Sequence, residues 1–227
     1  MITPDDFGAD YFRNRVGNDP LRQRSFQLEK AYLESKLGAD VFSVGRLLDV
    51  GCSTGEFIEA ISWPRGNAYG MEVSEFARSI AESKGIRFDR DLFSVEDFFD
   101  LIVFRGTIQY ISRPFDYIAR CRSGLKPGGH VIFLATPNTD SPFYRQFKTL
   151  PFLEERLNYW IPCATSLRMV LKNSGLEICD VQYPYRETPY AHLLRDHWRY
   201  LRRRLFNRKD SFAFWRSSMT VLARRPL

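Results

Sequence analysis

The chain has 227 residues, 44% hydrophobic and 26% charged, with a formal net charge of +6, which suits one globular domain or one domain carrying an insertion. No apolar run approaches the ~20 residues of a membrane span, and Met1-Ile2-Thr3-Pro4-Asp5-Asp6 has neither the basic nor the apolar part of a signal peptide, so a cytoplasmic protein is expected. Cys52, Cys121, Cys163 and Cys179 are scattered, with no C-x-x-C pair and no histidine at ligand spacing, which predicts reduced structural thiols and no metal site.

Tyr11-Phe12-Arg13 and Asp19-Pro20-Leu21-Arg22 flank a turn, and Pro20 can open a helix as its first residue. Apolar positions 26, 28, 31, 32, 33 and 37 follow at roughly helical spacing. They predict a helix over 21–37 that lies over the sheet edge and ends near Gly38. Next comes Leu47-Leu48-Asp49-Val50-Gly51-Cys52-Ser53-Thr54-Gly55-Glu56-Phe57, an apolar strand that meets an acid, a small-residue turn and a new helix. The two glycines let backbone approach a ligand, and the helix N-terminus offers unpaired N–H groups, as in a nucleotide site at the carboxyl end of a strand. A dinucleotide fingerprint would need glycine at 53 and 56, where Ser53 and Glu56 stand, and no Gly-Lys-Ser/Thr P-loop is present. The acid before the first glycine would repel a pyrophosphate but suits an ammonium or sulfonium group. An ordinary strand-turn-helix crossing is the competing reading.

Ala68–Val73 is read as strand two. Glu72 stands at its carboxyl end, about where Rossmann-like folds place a ribose-binding acid. One carboxylate can accept from both ribose hydroxyls. Ser74 is a plausible N-cap for the next helix. A short third strand is expected at Gly85–Phe88. A fully apolar central strand at Phe99–Phe104 leads into Arg105-Gly106-Thr107-Ile108-Gln109-Tyr110. A helix over 115–125, a tight turn at Lys126-Pro127-Gly128-Gly129 and a strand at His130–Ala135 follow. His130 opens that strand at the end away from the site, which argues against a catalytic role. A helix from Thr165 capped by Gly175, a strand at Glu177–Tyr183 and a last strand at Ser218–Arg224 complete the pattern.

The segment at 47–57 resembles motif I of the class I S-adenosylmethionine (SAM) methyltransferases, and Leu125-Lys126-Pro127-Gly128-Gly129 before an apolar strand is their next most recognisable feature. Among them, the chain looks similar to small-molecule enzymes such as ubiquinone-biosynthesis O-methyltransferases and saccharide-cluster methyltransferases. The resemblance covers about residues 45–182 and resumes at 213–225. It implies an α/β fold: a Rossmann-like seven-stranded sheet, six strands parallel and the last antiparallel, with helices on both faces. The expected organisation of 1–227 is one methyltransferase domain. Residues 1–46 form a helical cap, 47–182 the SAM-binding core, 183–212 an insertion between the last two strands and 213–227 the final strand. The implied cofactor is SAM. Its implied contacts are Asp49, Gly51, Cys52, Ser53 and Gly55 in the loop, Glu72 and Val73 after strand two, Asp91 (preferred to Asp89) and Leu92 at the adenine, and Arg105. Some resembling enzymes carry Asn-Pro-Leu-Arg before strand one, whose arginine meets the methionine carboxylate; Asp19-Pro20-Leu21-Arg22 is similar but more distant, so Arg22 is either that contact or a solvated side chain. Where many relatives have a histidine, this chain has Gln109-Tyr110, so neither a histidine base nor a metal is supported there. Tyr110 either orients an acceptor or packs.

The net charge is concentrated. Residues 195–209 hold six arginines and Lys209 against Asp196, and the remaining residues carry 26 charges of each sign. Leu194, Trp198, Leu201 and Leu205 recur there at helical spacing. Three readings stay open: a stripe packed on the core or a second subunit, a lid for an anionic, sugar-linked acceptor, or peripheral membrane contact through 190–209. The charge is too local to track nucleic acid. The expected reaction is in-line methyl transfer to a small polar acceptor, a hydroxyl of a saccharide or related metabolite, by a monomer or homodimer. Alignment in a dry site does much of that work, and a strong base is optional. A SAM-binding protein without transferase activity and an RNA-directed methyltransferase are the alternatives.

Overall fold

A computed structural model describes residues 19–151, 153, 158–185, 188–209 and 212–227 of the protein; Tyr11-Phe12-Arg13 lie outside them. Asp19 caps helix α1 (Pro20–Leu37) by accepting from the Leu21 N–H at 3.0 Å, Pro20 takes the first position, and Gly38 ends the helix. After α2 (Ala39–Val44) the chain enters β1 (Leu47–Val50), the glycine turn, α3 (Glu56–Ala60), β2 (Ala68–Met71) and α4 (Glu75–Ser83), whose N-cap is Ser74. β3 (Phe99–Arg105), α5 (Pro114–Gly124), β4 (Leu125–Pro137) and α6 (Pro142–Phe147) follow. Then come α7 (Ala164–Asn173), β5 (Glu177–Gln182), α8 (Leu193–Phe206) and β6 (Ser218–Arg224). Ser174 is the C-cap of α7, and Gly175, next in line, takes the left-handed conformation at φ 75°.

The sheet order is β2-β1-β3-β4-β6-β5. β2, β1, β3 and β4 are parallel, and β6 runs antiparallel to both β4 and β5, as expected for the last strand. Six strands form where seven were expected. At 85–88 only Arg87 pairs, donating to Ala68 O at 2.9 Å and accepting from Gly70 N at 2.8 Å. One parallel bridge beside β2 is what remains of the third strand; Gly85 enters it in left-handed backbone, and Arg87 pairs with Asp89 at 2.7 Å on the exposed side.

Period-two alternation splits the strand side chains between two cores. Leu48, Val50, Ile102, Phe104, Val131 and Phe133 meet Ile118, Leu167 and Leu171 on one face. Leu47, Leu101, Val103, Ile132 and Leu134 meet Phe26, Leu33, Phe57 and Ile61 on the other. Asp49 shares the Leu47 side.

Two expectations need correcting. Helix α1 crosses a face of the sheet rather than its edge: Phe26 packs edge-on to Phe57 with centroids 5.7 Å apart, while Tyr32 and Lys36 reach Asp180 on β5 at 3.1 and 2.9 Å. The Lys126–Gly129 turn is a bulge inside β4, with Leu125 opposite Phe99 and His130 opposite Leu101. Lys126 Nζ is held by Asp100 at 2.7 Å, and the Arg225 N–H donates to Gly129 O at 2.9 Å, so the bulge is bonded on both sides.

Candidate functional site

Three adjacent strands finish at one edge of the sheet in left-handed backbone. β1 runs into Gly51 (φ 75°), Ser53 (53°) and Gly55 (76°), β3 into Gly106 (61°), and β4 passes through Ala135 (47°) just before its end. Ser53 and Ala135 adopt a region that few non-glycine residues enter, and such strain gathers at functional sites. Gly51 has no ready substitute: besides its positive φ, an added Cβ would run into the Thr107 side chain. This is the carboxyl edge, where open α/β sheets bind ligands.

The loop is fastened to β2. The Gly51 and Cys52 N–H groups both donate to Met71 O, at 2.7 and 3.1 Å. The Ser53 N–H donates to Glu72 Oε2 and the Ser74 N–H to Glu72 Oε1, each at 2.9 Å. A carboxylate offers about four acceptor positions, so Glu72 keeps capacity for a pair of hydroxyls. Cys52 is buried, and burial raises its thiol pKa well above the usual range, which keeps it protonated.

Asp49 lies beneath this loop, 2% exposed, and its Oδ1 has no hydrogen-bond partner; the same holds for the fully buried Thr54 Oγ1. Burial pushes the Asp49 pKa up to about 7. Arg105 opposes that rise, while Glu72 and Glu29 add to it. A buried carboxylate left unpaired is costly, and a cation placed against it removes the cost.

Arg105 is committed to α1: Nε meets Glu29 Oε2 at 2.7 Å, Nη2 meets Oε1 at 3.3 Å, and the guanidinium lies 4.4 Å from the Phe26 ring centre. Arg22, despite its distance in sequence, arrives at the loop helix, with Nη2 3.1 Å from Glu56 Oε2. Asp91 Oδ1 accepts from the Phe93 and Ser94 N–H groups, both at 2.8 Å, whereas Asp89 is held by Arg87 in an exposed pair. Leu92 is fully buried, whereas Val73, beside Glu72, is 64% exposed. Tyr110 closes a short 3-10 turn, Ile108–Tyr110, with its N–H on Thr107 O at 2.8 Å. His130 sits in β4 opposite Leu101 and Arg224, at the far end from the glycine loop; burial and Arg224 lower its pKa.

Sequence reasoning missed three residues. Thr54 is one. Gln109 is buried; its Nε2 donates to Gly106 O at 2.8 Å, its Oε1 has no hydrogen-bond partner, and its carbonyl accepts the Tyr159 N–H at 2.8 Å. Tyr190, from the insertion, has its phenol pKa raised by burial and by Asp19. Arg105 and Arg22 pull it back, as does a hydrogen bond with Ser25, so the insertion borders the Arg22 side of the site. The residue pattern named Gln109 only as the residue before the position where relatives carry a histidine, and nothing in the sequence placed Tyr190 near helix α1.

The group implied by the loop fits these residues. Asp49 offers a buried carboxylate with an unpartnered oxygen that would suit an ammonium or sulfonium, and Glu72 offers acceptors that would suit a diol. A family model described as a methyltransferase domain matches residues 22–181.

The chain belongs to that methyltransferase family.

The chain is 30% identical over 118 residues to a malonyl-[acyl-carrier protein] O-methyltransferase of Paenibacillus sp. strain JDR-2, covering 45% of this chain and 43% of that protein. It is 30% identical over 110 residues to a ubiquinone biosynthesis O-methyltransferase of Thiobacillus denitrificans, covering 44% and 47%. It thus spans about half the length of these curated relatives. A SAM-dependent methyltransferase from Archaeoglobus fulgidus superposes with a TM-score of 0.58 at 18% identity, covering 88% of this chain and 94% of that one, a likeness of fold. Among the described residues of this methyltransferase-family chain, no helix is long and apolar enough to cross a membrane, and no group of three or more His, Cys, Asp and Glu could hold a metal ion.

Proposed function

We propose that this protein transfers the methyl group of S-adenosylmethionine to an oxygen of a small polar acceptor, a hydroxyl of a saccharide or related metabolite. The observation that carries the reading is the buried Asp49 carboxylate with its unpartnered oxygen beneath a left-handed glycine loop clamped to Glu72. Transfer to oxygen is supported by the relatives, both of which are named O-methyltransferases.

When bound, the cofactor supplies an electrophilic methyl carbon on a cationic sulfur. Asp49 holds the cationic methionyl end, within the turn formed by Gly51, Cys52, Ser53 and Gly55. Glu72 accepts from the ribose hydroxyls, and Val73, Asp91 and the Leu92 backbone border the adenine. Arg22 and Arg105 balance the methionyl carboxylate, each from an existing pair with Glu56 or Glu29. Tyr110 orients the acceptor oxygen. Catalysis is then mostly alignment and exclusion of water, which matches a site without a histidine at 109 or 110. The chain acts as one domain, with residues 20–44 closing one face of the core.

Calorimetric titration with SAM and S-adenosylhomocysteine tests the reading. Micromolar binding by the wild type, lost in Asp49→Ala and Glu72→Ala, is expected. A well-folded wild type that binds neither ligand would overturn it. Binding without turnover across a panel of hydroxylated acceptors would leave a cofactor-binding protein instead of an enzyme.

A further inference from the structure

The insertion helix α8 is amphipathic in the reverse sense. A surface helix ordinarily turns its apolar stripe inward. In α8 the inward face is polar. Asp196 is fully buried, accepting from Tyr185 Oη at 2.8 Å, from the His192 N–H at 3.4 Å and from Arg199 Nη1 at 3.3 Å. Arg203 lies 5.0–5.5 Å from the ring centres of Phe143, Phe147 and Phe212, and Tyr200 packs on Phe147 and Trp215. The apolar stripe faces outward: Leu194 is 89% exposed, Trp198 57%, Leu201 45% and Leu205 67%. The expectation that this stripe packs on the core is therefore corrected, because the inward face is already filled by the Asp196 network and the aromatic cluster.

We propose that α8 lies in the surface of an anionic lipid bilayer, its apolar stripe among the acyl chains and its arginines at the phosphates. The stripe runs about 16 Å along the helix. Arg195 and Arg202 border one flank and Arg204 the other, the arrangement by which an in-plane helix combines apolar insertion with attraction to anionic headgroups. Charge decides against a second copy as the occupant. Asp196 is the only acid in α8 and it is turned inward, so two such faces brought together would oppose arginines with arginines. The mount matters as well: α8 stands on α6, which follows the carboxyl end of β4, so the bilayer would lie on the same side of the sheet as the cofactor site. The inference does not depend on the proposed reaction.

The test is flotation of the full chain with vesicles of phosphatidylcholine alone, or of phosphatidylcholine with 30% phosphatidylglycerol, at low and high salt. Binding is expected on the anionic vesicles only and should weaken strongly from 0.1 to 0.5 M salt. Leu194→Glu with Trp198→Glu should abolish it, while SAM binding and the melting temperature stay at wild-type values. Replacing Arg195, Arg202 and Arg204 by Gln should weaken it by about fivefold per arginine. Absence of wild-type flotation, equal flotation on both vesicle types, or unaltered flotation of the double Glu variant would each overturn the proposal. So would a wild-type dimer in light scattering that the double Glu variant loses and that anionic vesicles do not compete away.

Discussion

The cofactor end of the sheet and the insertion helix break the same rule in opposite directions. Under the glycine loop a carboxylate is buried with an unpartnered oxygen. On α8 four large apolar side chains stand in water while a carboxylate beneath them is fully satisfied. Folding alone explains neither arrangement. In the proposed readings each surface is finished by something outside the chain: a cation against Asp49, an apolar phase against Trp198. Asp196 is the internal control, a buried acid whose partners are all in the protein.

Removing each acid separates these cases. Asp196→Ala leaves Arg199 and Tyr185 facing an empty buried site and should destabilise the chain by about 3 kcal/mol, read as a loss of denaturation midpoint, with little change in SAM affinity once folded. Asp49→Ala should behave the other way: stability near wild type, and SAM affinity lower by about 100-fold in calorimetry. If Asp49→Ala unfolds the chain as Asp196→Ala does, the contrast between a ligand site and a structural acid is lost.

The pH dependence refines the same contrast. The Asp49 pKa is raised from 3.8 to about 7 in the folded chain. A raised acid contributes stability that is fully present below the unfolded value of 3.8 and is lost as pH rises through the folded value near 7. The free protein should therefore lose stability between about pH 4 and 7, and Asp49→Asn should remove most of that slope, becoming the more stable form at pH 8 by on the order of 1–3 kcal/mol. On the proposed reading SAM binds against the ionised carboxylate, so wild-type affinity should climb with pH up to about 7 and level off above it. Melting curves with and without saturating SAM check both signs.

Most of the fold and of the cofactor end was legible because those signals are local. Leu47–Phe57 carries strand, turn and helix in one run, and Pro20 and Ser74 announce their helices. What failed depended on partners distant in sequence. Whether 85–88 pairs as a strand depends on β2, to which it makes one bridge, at Tyr69, and α1 was drawn across a face by Phe57 and Arg105. Gln109 and Tyr190 could not be placed, since no periodicity tells which loop a side chain from an insertion will reach. The spacing of Leu194, Trp198, Leu201 and Leu205 gave the stripe correctly but not its direction. That was decided by Asp196 and Arg203, which read in the sequence as the solvent face.

The smallest expected effect bears hardest on that last point. Leu194→Glu on a stripe that packed against protein would leave a charge in an apolar interface and cost several kcal/mol. On an outward stripe it replaces an exposed leucine by an exposed acid, and the change in unfolding free energy should stay within about 0.5 kcal/mol. Chemical denaturation resolves the two outcomes easily. A near-zero result means that folding does not require these leucines and Trp198 where they are. Exposed apolar area on this scale otherwise invites aggregation, so its cause is then a partner surface. A large result would mean that the stripe is covered by the protein in solution, and the symmetry between the two unfinished surfaces would fail at α8 while standing at Asp49.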